Sequence, residues 1–140
     1  MNRVIAASVL LCAGVIVDAN ADCSNNQVTD LQTLLVNKHV CAVRGSDVWR
    51  ERHDSPNKLV DIKKGTSDPV DPQKEVGTWL VDGKNKKNAV TYTYNAFGPA
   101  VSFKYEVYQT GPSTGLFDFC DVATSANIVT NAKIQTAACP

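Results

Sequence analysis

Apolar and polar residues alternate along most of this chain, and the alternation is clearest from Val101 to Tyr108. Val101, Phe103, Tyr105 and Val107 fall on one face there, and Ser102, Lys104 and Glu106 on the other. Successive side chains of a strand point to opposite sides of a sheet, so one face belongs in a core and the other in water. Val90-Thr91-Tyr92-Thr93-Tyr94 repeats the pattern, with Val90, Tyr92 and Tyr94 inward. β-branched and aromatic side chains fit a pleated, half-buried surface, so propensity agrees with periodicity. Turn residues punctuate these runs at Gly83 to Asn88, at Phe97-Gly98-Pro99 and from Gly111 to Gly115.

Read the same way, the whole chain offers eight candidate strands: 38–44, 47–54, 58–64, 75–82, 89–95, 100–109, 115–122 and 127–137. That number suits an all-β, antiparallel up-and-down meander, closed or nearly closed into a small barrel. A two-sheet β-sandwich gives the same signals and stays open at this stage. Val28, Leu31, Leu34 and Leu35 recur at helical spacing behind Thr29 or Asp30 as cap. They predict a short N-terminal helix over a barrel mouth or a sheet edge. In the last strand, Ile128, Ala132 and Ile134 are expected on one side.

Between the third and fourth strands, Gly65 to Pro72 contains two prolines and reads as a connection within one domain. Its Asp68 and Asp71 start turns and are too sparse for a calcium loop, which needs six or more oxygens. No other metal motif is present.

At the N-terminus, Arg3 is followed by an apolar run from Val4 to Val17 and by Ala19-Asn20-Ala21. This predicts a secretory signal peptide over 1–21, a single domain over 22–140, and a secreted or periplasmic protein. The apolar run is too short to span a membrane. Past the signal remain Cys23, Cys41, Cys120 and Cys139, an even set that reads as two disulfides. Local pairing, Cys23 with Cys41 and Cys120 with Cys139, is expected because short loops close most easily. Fourteen basic and fourteen acidic residues leave no net charge, which argues against nucleic acid or an anionic membrane as partner.

The most chemical-looking stretch is the hairpin of 47–54 and 58–64 around Asp54-Ser55-Pro56-Asn57. A four-residue turn there sets Trp49 opposite Ile62 and Arg50 opposite Asp61. Trp49, Glu51 and His53 share one face, with His53 at the turn and toward solvent. A carboxylate beside an imidazole raises the imidazole's pKa and can serve acid–base chemistry. No serine or free cysteine is spaced to act as nucleophile, so no catalytic residue is assigned and no cofactor is implied. The candidate binding residues are Trp49, Glu51, His53, Trp79, Tyr92, Tyr94 and Tyr105.

Trp49-x-Glu51-x-His53 with Leu59-x-Asp61-x-Lys63, then Asp68-Pro69-Val70-Asp71-Pro72, Val76-Gly77-Thr78-Trp79, Tyr92-Thr93-Tyr94 and Phe119-Cys120, form a series. Over about Leu31 to Cys139 the chain resembles a family of small, uncharacterised exported proteins of Gram-negative bacteria. That resemblance implies export and brings no activity with it. Gly77-Thr78-Trp79 is also similar to the Gly-x-Trp of lipocalins and avidins, which implies a barrel. Two functions are open. One is a binding module for a protein partner or a small apolar ligand; the other is a hydrolase-type enzyme using Glu51 and His53.

Overall fold

The computed structural model describes residues 23–44, 47–62, 73–82, 88–111 and 113–140. Side chains at 44, 47, 127 and 128 are outside this description, as are the expected signal peptide, the proline-containing connection and most of the 83–88 tip. The elements in order are α1 (Leu31–Leu35), β1 (His39–Arg44), β2 (Asp47–Asp54), β3 (Lys58–Ile62), β4 (Gln73–Asp82), β5 (Ala89–Tyr94), β6 (Val101–Gln109), β7 (Leu116–Asp121) and β8 (Asn127–Gln135). Each strand pairs antiparallel with its neighbours in sequence, and β8 returns to β1, so the sheet is a closed barrel. Closure decides against the sandwich. Among the described residues, no helix is long and apolar enough to cross a membrane.

One mouth of the barrel is crossed by the N-terminal segment. Val28 N–H donates to the Val107 carbonyl on β6 (2.8 Å), and Asn37 N–H donates to the His53 carbonyl on β2 (2.7 Å). β6 and β2 stand on opposite sides of an eight-strand ring, so α1 lies across the opening. Leu31 and Leu35 project from it into the core and are fully buried. Asp30 caps the helix by accepting the Thr33 N–H at 3.1 Å, and these hydrogen bonds hold its carboxyl below the usual carboxylate range. The helix is shorter than the apolar spacing predicts: Val28 belongs to the approach along β6.

Three expectations are corrected. The cystines are Cys23–Cys120 and Cys41–Cys139, separated by 97 and 98 residues, so the local pairing is wrong. Closure brings the end of β8 beside β1, and the N-terminal crossing starts near β7; proximity in the fold outweighs proximity in the chain. In the chain-entropy account, a cross-link over a loop near 100 residues stabilises by about 4.7 kcal/mol. Cystines also fit an oxidising compartment.

The β2–β3 register is displaced by one residue. Glu51 faces Asp61 and His53 faces Leu59, because the loop between the strands is Ser55-Pro56-Asn57 rather than four residues. In β8, Ala132 and Ile134 pack on the core as expected, but buried Val129 breaks the two-residue alternation, and the Ile128 side chain lies outside the description. Between the pairs Phe117–Ala132 and Phe119–Val129, two residues of β8 stand opposite the single Asp118. This is a bulge. Asn131 takes a φ of 55°, and the buried Asp118 Oδ1 accepts its N–H at 2.8 Å.

Another irregularity, between Leu59 and Val60, accommodates Val76 in β4. The next residue, Gly77, lies so close to β5 that an added Cβ would collide with the Thr93 carbonyl oxygen. Backbone there cannot yield as a flexible side chain would. Gly77→Ala is therefore expected to lower unfolding stability by about 3 kcal/mol or more, as overpacking does in a dense core. Thr78→Ala, at the exposed neighbour, should cost under about 1 kcal/mol. Chemical denaturation of the two variants checks this, and equal midpoints would contradict it.

Candidate functional site

Strand alternation delivers the candidate residues to one place, the barrel interior. β2 supplies Trp49, Glu51 and His53, β4 supplies Trp79, β5 supplies Tyr92 and Tyr94, and β6 supplies Tyr105. Their rings form a chain of contacts across the barrel. His53 lies 5.3 Å from Trp79 and 5.4 Å from Tyr92, centroid to centroid. Tyr92 is 5.9 Å from Tyr105, which is 6.4 Å from Trp49. Phe119 on β7 closes the set at 6.1 Å from Trp49. Edge-on and tilted geometries predominate, as expected of rings packed in a core.

Polar groups are threaded through these rings. The Tyr94 hydroxyl donates to Glu51 Oε1 at 2.8 Å. His53 Nε2 and the Tyr92 hydroxyl are 2.8 Å apart, and Trp79 Nε1–H donates to the Asp54 carbonyl at 3.1 Å. Burial pushes both tyrosine hydroxyls above the usual phenol pKa, and the nearby Glu51 charge adds to the effect. Neither ionises at any ordinary pH, so both are hydrogen-bonding groups only.

The expectation that His53 is solvent-exposed, with a pKa raised by Glu51, is overturned. His53 is fully buried, because residues 37 and 38 after α1 fold over the end of β2 and exchange backbone hydrogen bonds with it. Burial lowers its pKa from 6.5 to about 4, only partly offset by the Lys38 and Glu51 backbone. Its side-chain hydrogen-bond partner is Tyr92, on β5. Glu51 is buried as well, at 4% exposure.

Phe103 is placed on the inward face as expected, 6.1 Å from Tyr94, yet it is 43% exposed. Its part of β6 lies toward the mouth that α1 does not cover, so alternation gives its direction and not its burial. Two sets of residues escape the alternation argument altogether. Phe97 reads as turn punctuation but is a ring exposed at the β5–β6 connection. Arg50 reads from the sequence only as the cross-strand partner of Asp61, and its neighbour across β1, Lys133, gives no local signal at all.

The buried imidazole sets a pH dependence. An unfolded histidine titrates near 6.5 and the folded one near 4, so between these values the unfolded chain binds a proton that the barrel refuses. Stability is complete above pH 6.5 and falls as pH drops toward 4, by about 3 kcal/mol in all. His53→Gln should flatten this slope while lowering stability at pH 7. Denaturation midpoints measured from pH 7 to 4 test it, and a slope unchanged by the substitution would contradict it.

No family model, curated protein or solved structure matches the chain.

Proposed function

We propose that this protein is an exported binding module that grips a protein partner with the barrel rim opposite α1. The observation behind this reading is where exposed apolar surface concentrates. Phe97 is 73% exposed and Val101 51%, and with Phe103 they belong to the β5–β6 hairpin and its connection. Val122 joins them, since its N–H donates to the Lys104 carbonyl of β6 at 3.0 Å. Lys74 lies 4.3 Å above the Phe97 ring. Protein interfaces are built around such rings, with charged groups at the margin. The interior offers the opposite picture, with rings in mutual contact and one mouth crossed by α1. Eight-stranded barrels either fill with side chains or hold one small ligand, and the packed rings favour the first. Secretion or a periplasmic location follows from the expected signal peptide and fits the two cystines.

Chemistry at Glu51 and His53 is the weaker reading. A general base must reach the substrate's proton, whereas His53 is enclosed and its Nε2 is engaged by Tyr92. Holding a small apolar ligand remains the second binding reading, favoured by Phe103, which faces inward and is still partly open to solvent.

The test uses Phe97→Glu with Val101→Glu, both at exposed positions, so the melting temperature should stay within a few degrees of wild type. Immobilised wild-type protein is expected to retain a saturable partner from the exported fraction of its cells, and the double variant to lose at least tenfold in affinity for it. Equal retention by the two proteins would overturn the rim as the contact surface.

A further inference from the structure

On the side of the barrel opposite the β5–β6 hairpin, the outer face of β8, β1 and β2 carries a groove of ≈ 450 Å³. A volume of this size is in the range of small-molecule sites. Its base is one cross-strand row: Cys41 pairs with Arg50 on β2 and with Lys133 on β8. Directly paired residues share a face at about 5 Å spacing, so the two cations flank the Cys41–Cys139 cystine on the outside of the barrel. The next row on the same face is Val43 opposite Val48, 64% and 43% exposed. Trp49, between Val48 and Arg50 on β2, also lines the groove while its ring packs inward on Tyr105 and Phe119.

The side-chain charge is one-sided, and Pro140, whose terminal carboxylate is an anion, also lines the groove. No aspartate or glutamate among the described residues lines this groove, and neither Arg50 nor Lys133 is ion-paired among them. The β8 bulge adds a polar margin, since Thr130 and Asn131 both line the groove where β8 sets two residues opposite Asp118. Bulges recur at sites because they re-aim side chains.

A cationic row beside an apolar row selects a ligand with both properties. Arginine's planar guanidinium matches a carboxylate in two-point geometry, and lysine supplies a second charge. Two exposed valines remain for an aliphatic chain, whose burial is favourable in proportion to its area. We propose that this groove binds a medium-chain aliphatic carboxylate, with its head between Arg50 and Lys133 and its chain over Val43 and Val48.

The probe is decanoate, added below its micelle concentration to the disulfide-intact protein and followed by tryptophan emission and by calorimetry. Only two tryptophans are present, Trp49 and Trp79, and Trp79 is buried in the interior at 1% exposure. A saturable emission change with one-to-one stoichiometry is expected, and Trp49→Phe should abolish the optical signal but not the heat. Arg50→Gln with Lys133→Gln should weaken binding at least tenfold, and so should Val43→Asp. Butyrate, which keeps the head alone, and decyltrimethylammonium, which reverses the charge, should not saturate. Binding of decanoate that survives the double variant, equal binding of the cationic analogue, or no saturable heat with decanoate would each overturn the proposal. None of Phe97, Val101, Phe103 and Val122 enters this assay, so the groove and the proposed partner surface fail separately.

Discussion

The structure depends on the closure of the sheet between β8 and β1. Only three residue pairs make that seam: His39–Gln135, Val40–Ile134 and Cys41–Lys133. An open eight-stranded ribbon would leave two long edges with unpaired backbone groups. Closure removes both edges, and the Cys41–Cys139 bond ties the tail that follows β8 back to β1 at the seam itself. Cys23–Cys120 does the same for the N-terminal crossing, anchoring its start to β7 while Val28 and Asn37 reach β6 and β2. A domain of this size buries only about two thirds of its unfolded surface, so covalent ties across the whole fold matter to its stability.

Closure also creates the interior, and the interior has been filled. Trp79, Tyr92 and Phe119 are buried to 1% exposure or less, and α1 adds Leu31 and Leu35 from one end. Among them lie an imidazole and a carboxylate, whose desolvation is costly unless their polar atoms find partners. Tyr92 supplies a partner for His53 Nε2 and Tyr94 one for Glu51 Oε1 across the barrel, from β5 to β2, while His53 Nδ1 is buried without one. Such contacts tie opposite walls together at fixed positions, which apolar packing alone specifies less sharply. On the function proposed here, recognition therefore falls to the outer surface. The uncovered rim offers exposed rings, and the seam offers a cationic groove. Both lie on surfaces that the core does not need.

Much of this was legible in the sequence because antiparallel strands buried on one face carry a period of two. Alternation alone locates Val101–Gln109 and Ala89–Tyr94 to within a residue or so, and it brings Trp49, Glu51, His53, Trp79, Tyr92, Tyr94 and Tyr105 to one interior. What alternation does not carry is depth along the barrel. His53 and Phe103 both point inward, but one lies beneath the α1 crossing and the other at the uncovered mouth. One is sealed and the other half open for that reason. Pairing between distant segments is equally silent. Cys41 has no local feature that selects Cys139 over Cys23, and Arg50 and Lys133 become neighbours only once β8 has reached β1. The bulge at Asn131 hides Val129 from a two-residue count, since one extra residue reverses every face beyond it.

Closure through distant cystines is the claim on which the interior, the rim and the groove all rest. Proteolysis of the unreduced protein with thiols blocked, followed by mass spectrometry of the linked peptides, reads it directly. The account predicts two linked species, one joining Cys23 to Cys120 and the other joining Cys41 to Cys139. Peptides joining Cys23 to Cys41 and Cys120 to Cys139, or free thiols at these positions, would contradict it.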